Sequence, residues 1–123
     1  MSERQRVTGI GGVFFKSRDA EALSRWYADR LGVPWKAGEG AIFPWDDPQG
    51  MTVWSAFSAD TRYFDPSPSP FMINFRVKDL DALLAQLAAE GVKIDPKRED
   101  YGYGRFAWIY DPEGNKIELW QPL

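Results

Sequence analysis

Apolar and polar residues alternate along this chain with two different periods, and the periods change in the same order twice. Residues 9–17 hold a short apolar run, Ile10, Val13, Phe14 and Phe15, bounded by glycines and by Arg18-Asp19, which predicts a strand. Residues 20–31 place Ala22, Leu23, Trp26, Tyr27 and Leu31 at helical spacing, with Asp19 as N-cap and Gly32 as the stop. Short strands are expected around 35–37, 41–46 and 51–57. From Phe71 the order recurs. Phe71-Met-Ile-Asn-Phe-Arg-Val77 alternates cleanly, and Asp79 caps a helix built on Leu80, Leu83, Leu84 and Leu87 that Gly91 stops. A short strand at 92–94 ends before Pro96, a charged and aromatic loop covers 97–104, and two strands follow at 105–110 and 115–121.

Each half ends on the same turn chemistry. Asp111-Pro112-Glu113-Gly114 leads into Asn115-Lys-Ile-Glu-Leu-Trp120, and Asp47-Pro48-Gln49-Gly50 leads into Met51-Thr-Val-Trp54. Proline presets φ, glycine supplies positive φ, and aspartate bonds backbone two residues on. Asp19 superposes on Asp79, Ala22 on Ala82 and Leu23 on Leu83 when the halves are overlaid. The chain therefore reads as two βαβββ modules, 9–57 and 71–123, of one domain spanning 1–123. Ser58 to Pro70, with prolines at 66, 68 and 70, reads as an extended connection between them. Arg62, Tyr63 and Phe64 are the residues of that linker able to line a site.

Composition narrows the chemistry. Hydrophobic residues make up 44% and aromatic residues 15%, which fits a packed core, and the net charge of −3 offers no basic footprint for nucleic acid. No apolar run is long enough for a membrane span or a signal peptide, so a cytoplasmic protein is expected. Cysteine and histidine are both absent. That removes thiolate nucleophiles, imidazole bases and the soft metal ligands, and leaves only oxygen donors for a hard cation.

The strand–Asp–helix–Tyr-x-x-x-Leu-Gly pattern, carried by Asp19, Tyr27, Leu31 and Gly32, resembles the vicinal oxygen chelate superfamily, as do Asp79, Gly91 and the stretch from Asp111 to Leu119. That group includes glyoxalases, extradiol dioxygenases, and fosfomycin- and bleomycin-resistance proteins. The resemblance implies an α+β fold: tandem βαβββ modules forming a curled, cup-shaped mixed sheet with helices outside, commonly in a homodimer. It also implies where metal-using members would place four ligands. One lies seven residues before each helix-capping aspartate, and one lies four residues after each turn glycine. In this chain those positions are Gly12, Met72, Trp54 and Glu118. Only Glu118 among them ligates a hard cation, so neither metal nor other cofactor is expected.

What remains is an aromatic and polar cup. Alternation sends Glu118 and Trp120 to one face, Met72, Asn74 and Arg76 to one face, and Phe14 beside Gly12. Trp54 and Trp108 complete the expected ligand-binding set, with Tyr101 and Tyr103 of the Tyr-Gly-Tyr-Gly stretch as a lid, a hairpin tip or a dimer contact. Three functions compete: a metal-free binder of an aromatic or planar compound, a lyase or isomerase using Glu118 as general base, and a non-catalytic interaction module.

Overall fold

The computed structural model describes residues 4–31, 33–46 and 49–123. The Gly32 stop, the side chain of Leu31, the Asp47-Pro48 half of the first turn and the side chain of Trp45 lie outside that description. The elements run β1 (Val7–Ser17), α1 (Ala20–Leu31), β2 (Trp35–Lys36), β3 (Gly40–Asp46), β4 (Gln49–Ser58), β5 (Phe71–Val77), α2 (Leu80–Ala89), β6 (Lys93–Tyr101), β7 (Gly104–Tyr110) and β8 (Lys116–Pro122). This is βαβββ twice, in the expected α+β class. The strands form one eight-stranded mixed sheet ordered β2-β3-β4-β1-β5-β8-β7-β6.

Each helix starts on its aspartate. Asp19 accepts from the Ala22 amide and Asp79 from the Ala82 amide, both at 3.0 Å, which satisfies one of the orphan N-terminal donors of each helix. Both helices cover the same face of the sheet. The α2 side packs Leu80 and Leu83 on Val77, Ala107 and Leu119. The α1 side packs Tyr27 on Trp54, with ring centroids 4.9 Å apart, and Trp54 on Phe15 at 5.3 Å. Trp26, expected at core spacing, is half-exposed and meets the edge of Tyr27.

The halves meet at β1 and β5, which pair antiparallel with Val13 opposite Ile73. Val13 also pairs with Trp54, and Ile73 with Ile117, so a pseudo-twofold axis passes between Val13 and Ile73. Gly12 then corresponds to Met72, Phe14 to Asn74, and Ser55 to Glu118.

Two sequence expectations fail here for local reasons. The strand expected to end before Pro96 runs on to Tyr101, and the supposed loop at 97–104 is mostly its continuation. β6 is an edge strand, and its register with β7 shifts between Ile94 and Arg98, so Pro96 sits where no ladder donor is required. The connection after β4 is not extended. It folds into tight turns that bury Phe64 and Ser67.

Candidate functional site

The Asp111 turn delivers β8 to the cup. Asp111 Oδ1 accepts from the amides of Glu113 and Asn115 at 2.9 Å each, and Oδ2 accepts from Asn115 Nδ2 at 2.9 Å. Gly114 takes φ 84°, which few residues adopt without strain. These bonds, led by the Asn115 side chain, hold the Asp111 carboxyl below its ordinary range. From that start the two-residue period of β8 turns Lys116, Glu118 and Trp120 onto the face without helices, opposite Tyr110, Trp108 and Phe106 of β7.

Glu118 is 2% exposed and fully engaged. Asn74 Nδ2 donates to Oε1 at 2.5 Å, Trp108 Nε1 donates to Oε2 at 3.0 Å, and the Tyr63 hydroxyl donates to Oε2 as well. Burial raises the Glu118 carboxyl above the usual carboxylate range, and the three hydrogen bonds and the Lys116 charge pull against that rise. Burial and the neighbouring carboxylate likewise raise the Tyr63 phenol. Lys116, lowered by its own burial, donates from Nζ to the Tyr63 carbonyl at 2.8 Å and lies over the Tyr63 and Trp108 rings.

Tyr63 belongs to the segment between the modules, which works here as a strap. Phe64 is 0% exposed and packs with Phe14, Met72 and Trp108, while Tyr63 stacks on Phe57 at 5.5 Å. Ser69 ties the strap to Asn115 at 2.7 Å. The half of the cup that belongs to the second module is thus filled by the protein's own side chains. The sequence singled out Tyr63 and Phe64 as lining candidates, and the structure brings them to Glu118. The stretch expected to be an extended connection instead packs its side chains into the site.

The structure gathers Phe14, Met72, Asn74, Trp108, Glu118 and Trp120 on this face. Arg76 shares the register of Trp120. Asn74, rather than Met72, sits level with Glu118 and opposite Gly12. Gly11 shows how close the packing is. A Cβ there would lie 2.0 Å from Asn74 Oδ1, an acceptor that has no hydrogen-bond partner among the described residues. The Trp120 indole N–H is likewise unpartnered among them. Tyr101 and Tyr103 do not cover Glu118. They stack on each other at the β6–β7 tip, 5.3 Å apart, and meet the edge of Phe106, which stacks on Trp120.

Trp54 is displaced from its expected place. It faces α1, on the opposite side of the sheet, and the residue equivalent to Glu118 is Ser55. The reason is a shift of one residue between turn and strand. Gly50 already belongs to β4 and pairs with Trp45, whereas Gly114 precedes β8. Counting from the glycine therefore lands one residue short in the first module. The inward alternation of Val53, Ser55 and Phe57 was the available signal.

The metal positions implied by the fold do not fit a metal. At the level of Glu118 the facing positions are Gly12 and Asn74, and Ser55 stands in the corresponding place of the first module. Among the described residues no group of three or more His, Cys, Asp or Glu converges. A divalent cation would find one carboxylate whose two oxygens already accept from protein donors.

The first-module half of the cup is open. β3 pairs with β4 only as far as Trp54, so among the described residues no strand lies on that side of β4 beyond it. A cleft of about 480 Å³ wraps this edge, bounded by Phe14, Val53, Ser55 and Phe57, by Ser24 on α1, and by Trp35 and the β2–β3 turn. Gly40 in that turn, at φ 74°, permits the close approach, since a Cβ would lie 2.8 Å from the Trp54 carbonyl. Among the described residues no helix is long and apolar enough to cross a membrane.

A family model described as the Glyoxalase/Bleomycin resistance protein/Dioxygenase superfamily matches residues 9–119. No curated protein sequence matches the chain. Among solved structures it is similar to methylmalonyl-CoA epimerase from Mycobacterium tuberculosis, at 23% identity over 100% of this chain and 93% of that one, with TM-score 0.67. A variant of Streptomyces coelicolor methylmalonyl-CoA epimerase in complex with 2-nitronate-propionyl-CoA gives 18%, 95%, 99% and 0.70 in the same order. The Mn(II)-bound glyoxalase from Novosphingobium aromaticivorans gives 22% identity and TM-score 0.64 over 95% of this chain, but 40% of its own length. At these identities the likeness is one of fold.

Proposed function

The chain belongs to the Glyoxalase/Bleomycin resistance protein/Dioxygenase superfamily, and on that premise we propose that it is a metal-independent member that binds a small planar or aromatic compound. The observation that carries this reading is the state of Glu118. The one carboxylate at an implied ligand position is spent on Tyr63, Asn74 and Trp108 inside a packed half-cup. What stays accessible is the other half, with aromatic walls and a few hydroxyls, which is the usual make-up of a small-molecule pocket.

Tryptophan fluorescence tests it directly. Trp35 borders the cleft, so a planar aromatic ligand quenches emission with a saturable curve that EDTA leaves unchanged. An affinity that collapses on chelation refutes metal independence. Apolar Ile10, Val13 and Phe71 are exposed on the central strands, which supports a homodimer; sedimentation equilibrium reads the mass.

The acid–base alternative draws on the raised carboxyl of Glu118. It requires the strap to withdraw so that substrate replaces the Tyr63 hydroxyl. Full turnover of a genuine substrate by Glu118→Gln removes it. The packing around Glu118 favours a non-catalytic role over that chemistry.

A further inference from the structure

We propose that the cleft at the free edge of β4 is the ligand site of this protein, and that it takes an organic cation carried on a planar aromatic body. The inference rests on the binding reading above and adds both the place and the charge of the ligand.

Three kinds of group converge there. Phe14, Phe57 and Trp35 supply aromatic wall. Two hydroxyls supply polar contacts. Ser24 is only 3% exposed yet borders the cleft, and Ser55 borders it from β4. A ligand heteroatom can hydrogen-bond to either hydroxyl. Ser55 is also the pseudo-symmetric counterpart of Glu118, so the same station that a strap tyrosine fills in the second module stands open in the first.

Charge selects the ligand class. Among the described residues the ionic groups lining the cleft are Glu21 and Glu39, and the one cation at its border, Arg25, is already met by Glu21. The chain itself shows how this wall treats a cation. The guanidinium of Arg25 pairs with Glu21 at 2.8 Å and lies 5.3 Å from the centre of the Trp35 ring. That contact uses up Glu21 and one face of Trp35. It leaves Glu39, on the β2–β3 turn, with no ion pair among the described residues. A ligand cation near Glu39 gains a charge partner, and aromatic faces favour it further through their negative quadrupole. The cleft volume suits a bicyclic or tricyclic ring system.

Three near-isosteric probes separate the terms: N-methylquinolinium as cation, 2-methylquinoline as neutral analogue, and quinoline-2-carboxylate as anion. Each is titrated into the whole protein at pH 7.5 while amide and indole resonances are followed by NMR. The expected result is that N-methylquinolinium shifts Ser24, Trp35 and Ser55 and binds about three- to tenfold more tightly than 2-methylquinoline, with the anion weakest. The difference shrinks with added salt, and Glu39→Gln, a change on an exposed turn, abolishes it while 2-methylquinoline binding persists. Equal affinity for cation and neutral analogue at the same resonances overturns the charge assignment and leaves the binding reading standing. Shifts confined to residues around Glu118 overturn the location. No saturable binding of any probe overturns both.

Discussion

Replacing Tyr63 by phenylalanine isolates one contact of the closed half-cup. The ring keeps its stack on Phe57 and its edge contact with Trp108, and the strap keeps the Lys116 bond to the Tyr63 carbonyl. Only the hydroxyl that serves Glu118 is lost. A hydrogen bond to a charged, buried group contributes about 1.5–3 kcal/mol, so a loss of about 2 kcal/mol is expected where Glu118 is ionised. For a chain of this size that moves the urea midpoint by roughly 1 M.

The loss should also depend on pH. Burial sets the folded pKa of Glu118 above its unfolded value, so the native state holds the proton longer and stability falls as pH rises through that folded pKa. The Tyr63 bond opposes the rise. Its removal pushes the folded pKa further up, and the variant loses more stability over the same pH increase. The cost of Tyr63→Phe therefore grows from acid to neutral pH. Urea denaturation at several pH values measures it, with the same change made in a Glu118→Gln background as the reference. A loss below about 0.5 kcal/mol, or one of equal size at every pH and in both backgrounds, would refute the reasoning.

Three further outcomes follow from the same packing. Phe64→Ala empties a wholly buried site between Phe14, Met72 and Trp108 and should cost about 3–5 kcal/mol in urea unfolding. Gly11→Ala drives a methyl against Asn74 and should cost about 1–3 kcal/mol, with the Asn74 side-chain amide resonances displaced in NMR spectra. Asp111→Ala removes the bonds that set the turn before β8 and should lower the urea midpoint at neutral pH. Because the folded pKa of Asp111 is depressed, the stability it contributes is present above its unfolded pKa and is lost as pH falls through the folded one. The Asp111→Ala penalty should then shrink in strong acid, and a penalty unchanged there would count against the turn bonds.

Local patterns carried most of the fold. Two periods, two capping aspartates and the Asp111 turn are short-range features, and each is legible because the groups that interact lie within four residues of one another. The repeat followed from their order, and with it the eight strands in two modules. The reading failed where a local signal was outweighed from a distance. Pro96 reads as a strand end, but an edge strand with a shifted register tolerates it. The prolines at 66, 68 and 70 read as an extended linker, but the apolar cup draws Phe64 inside because burying that side chain outweighs the cost of ordering the turn.

The candidate site divides along the same line. Alternation along a single strand is a two-residue rule, so the sequence alone put Met72 with Asn74, and Glu118 with Trp120, on shared faces, and the family resemblance left Glu118 as the one ionisable group among the implied ligand positions. Register between strands is set by turn length and by the neighbours that pair, and only the assembled sheet decided it. That is why Trp54 turned out to face α1 and Ser55 to stand opposite Glu118 across the pseudo-twofold axis. Which half of the cup is closed was a tertiary decision as well. It depends on where a strap more than forty residues from Glu118 in sequence comes to rest, and no periodicity along the chain encodes that distance.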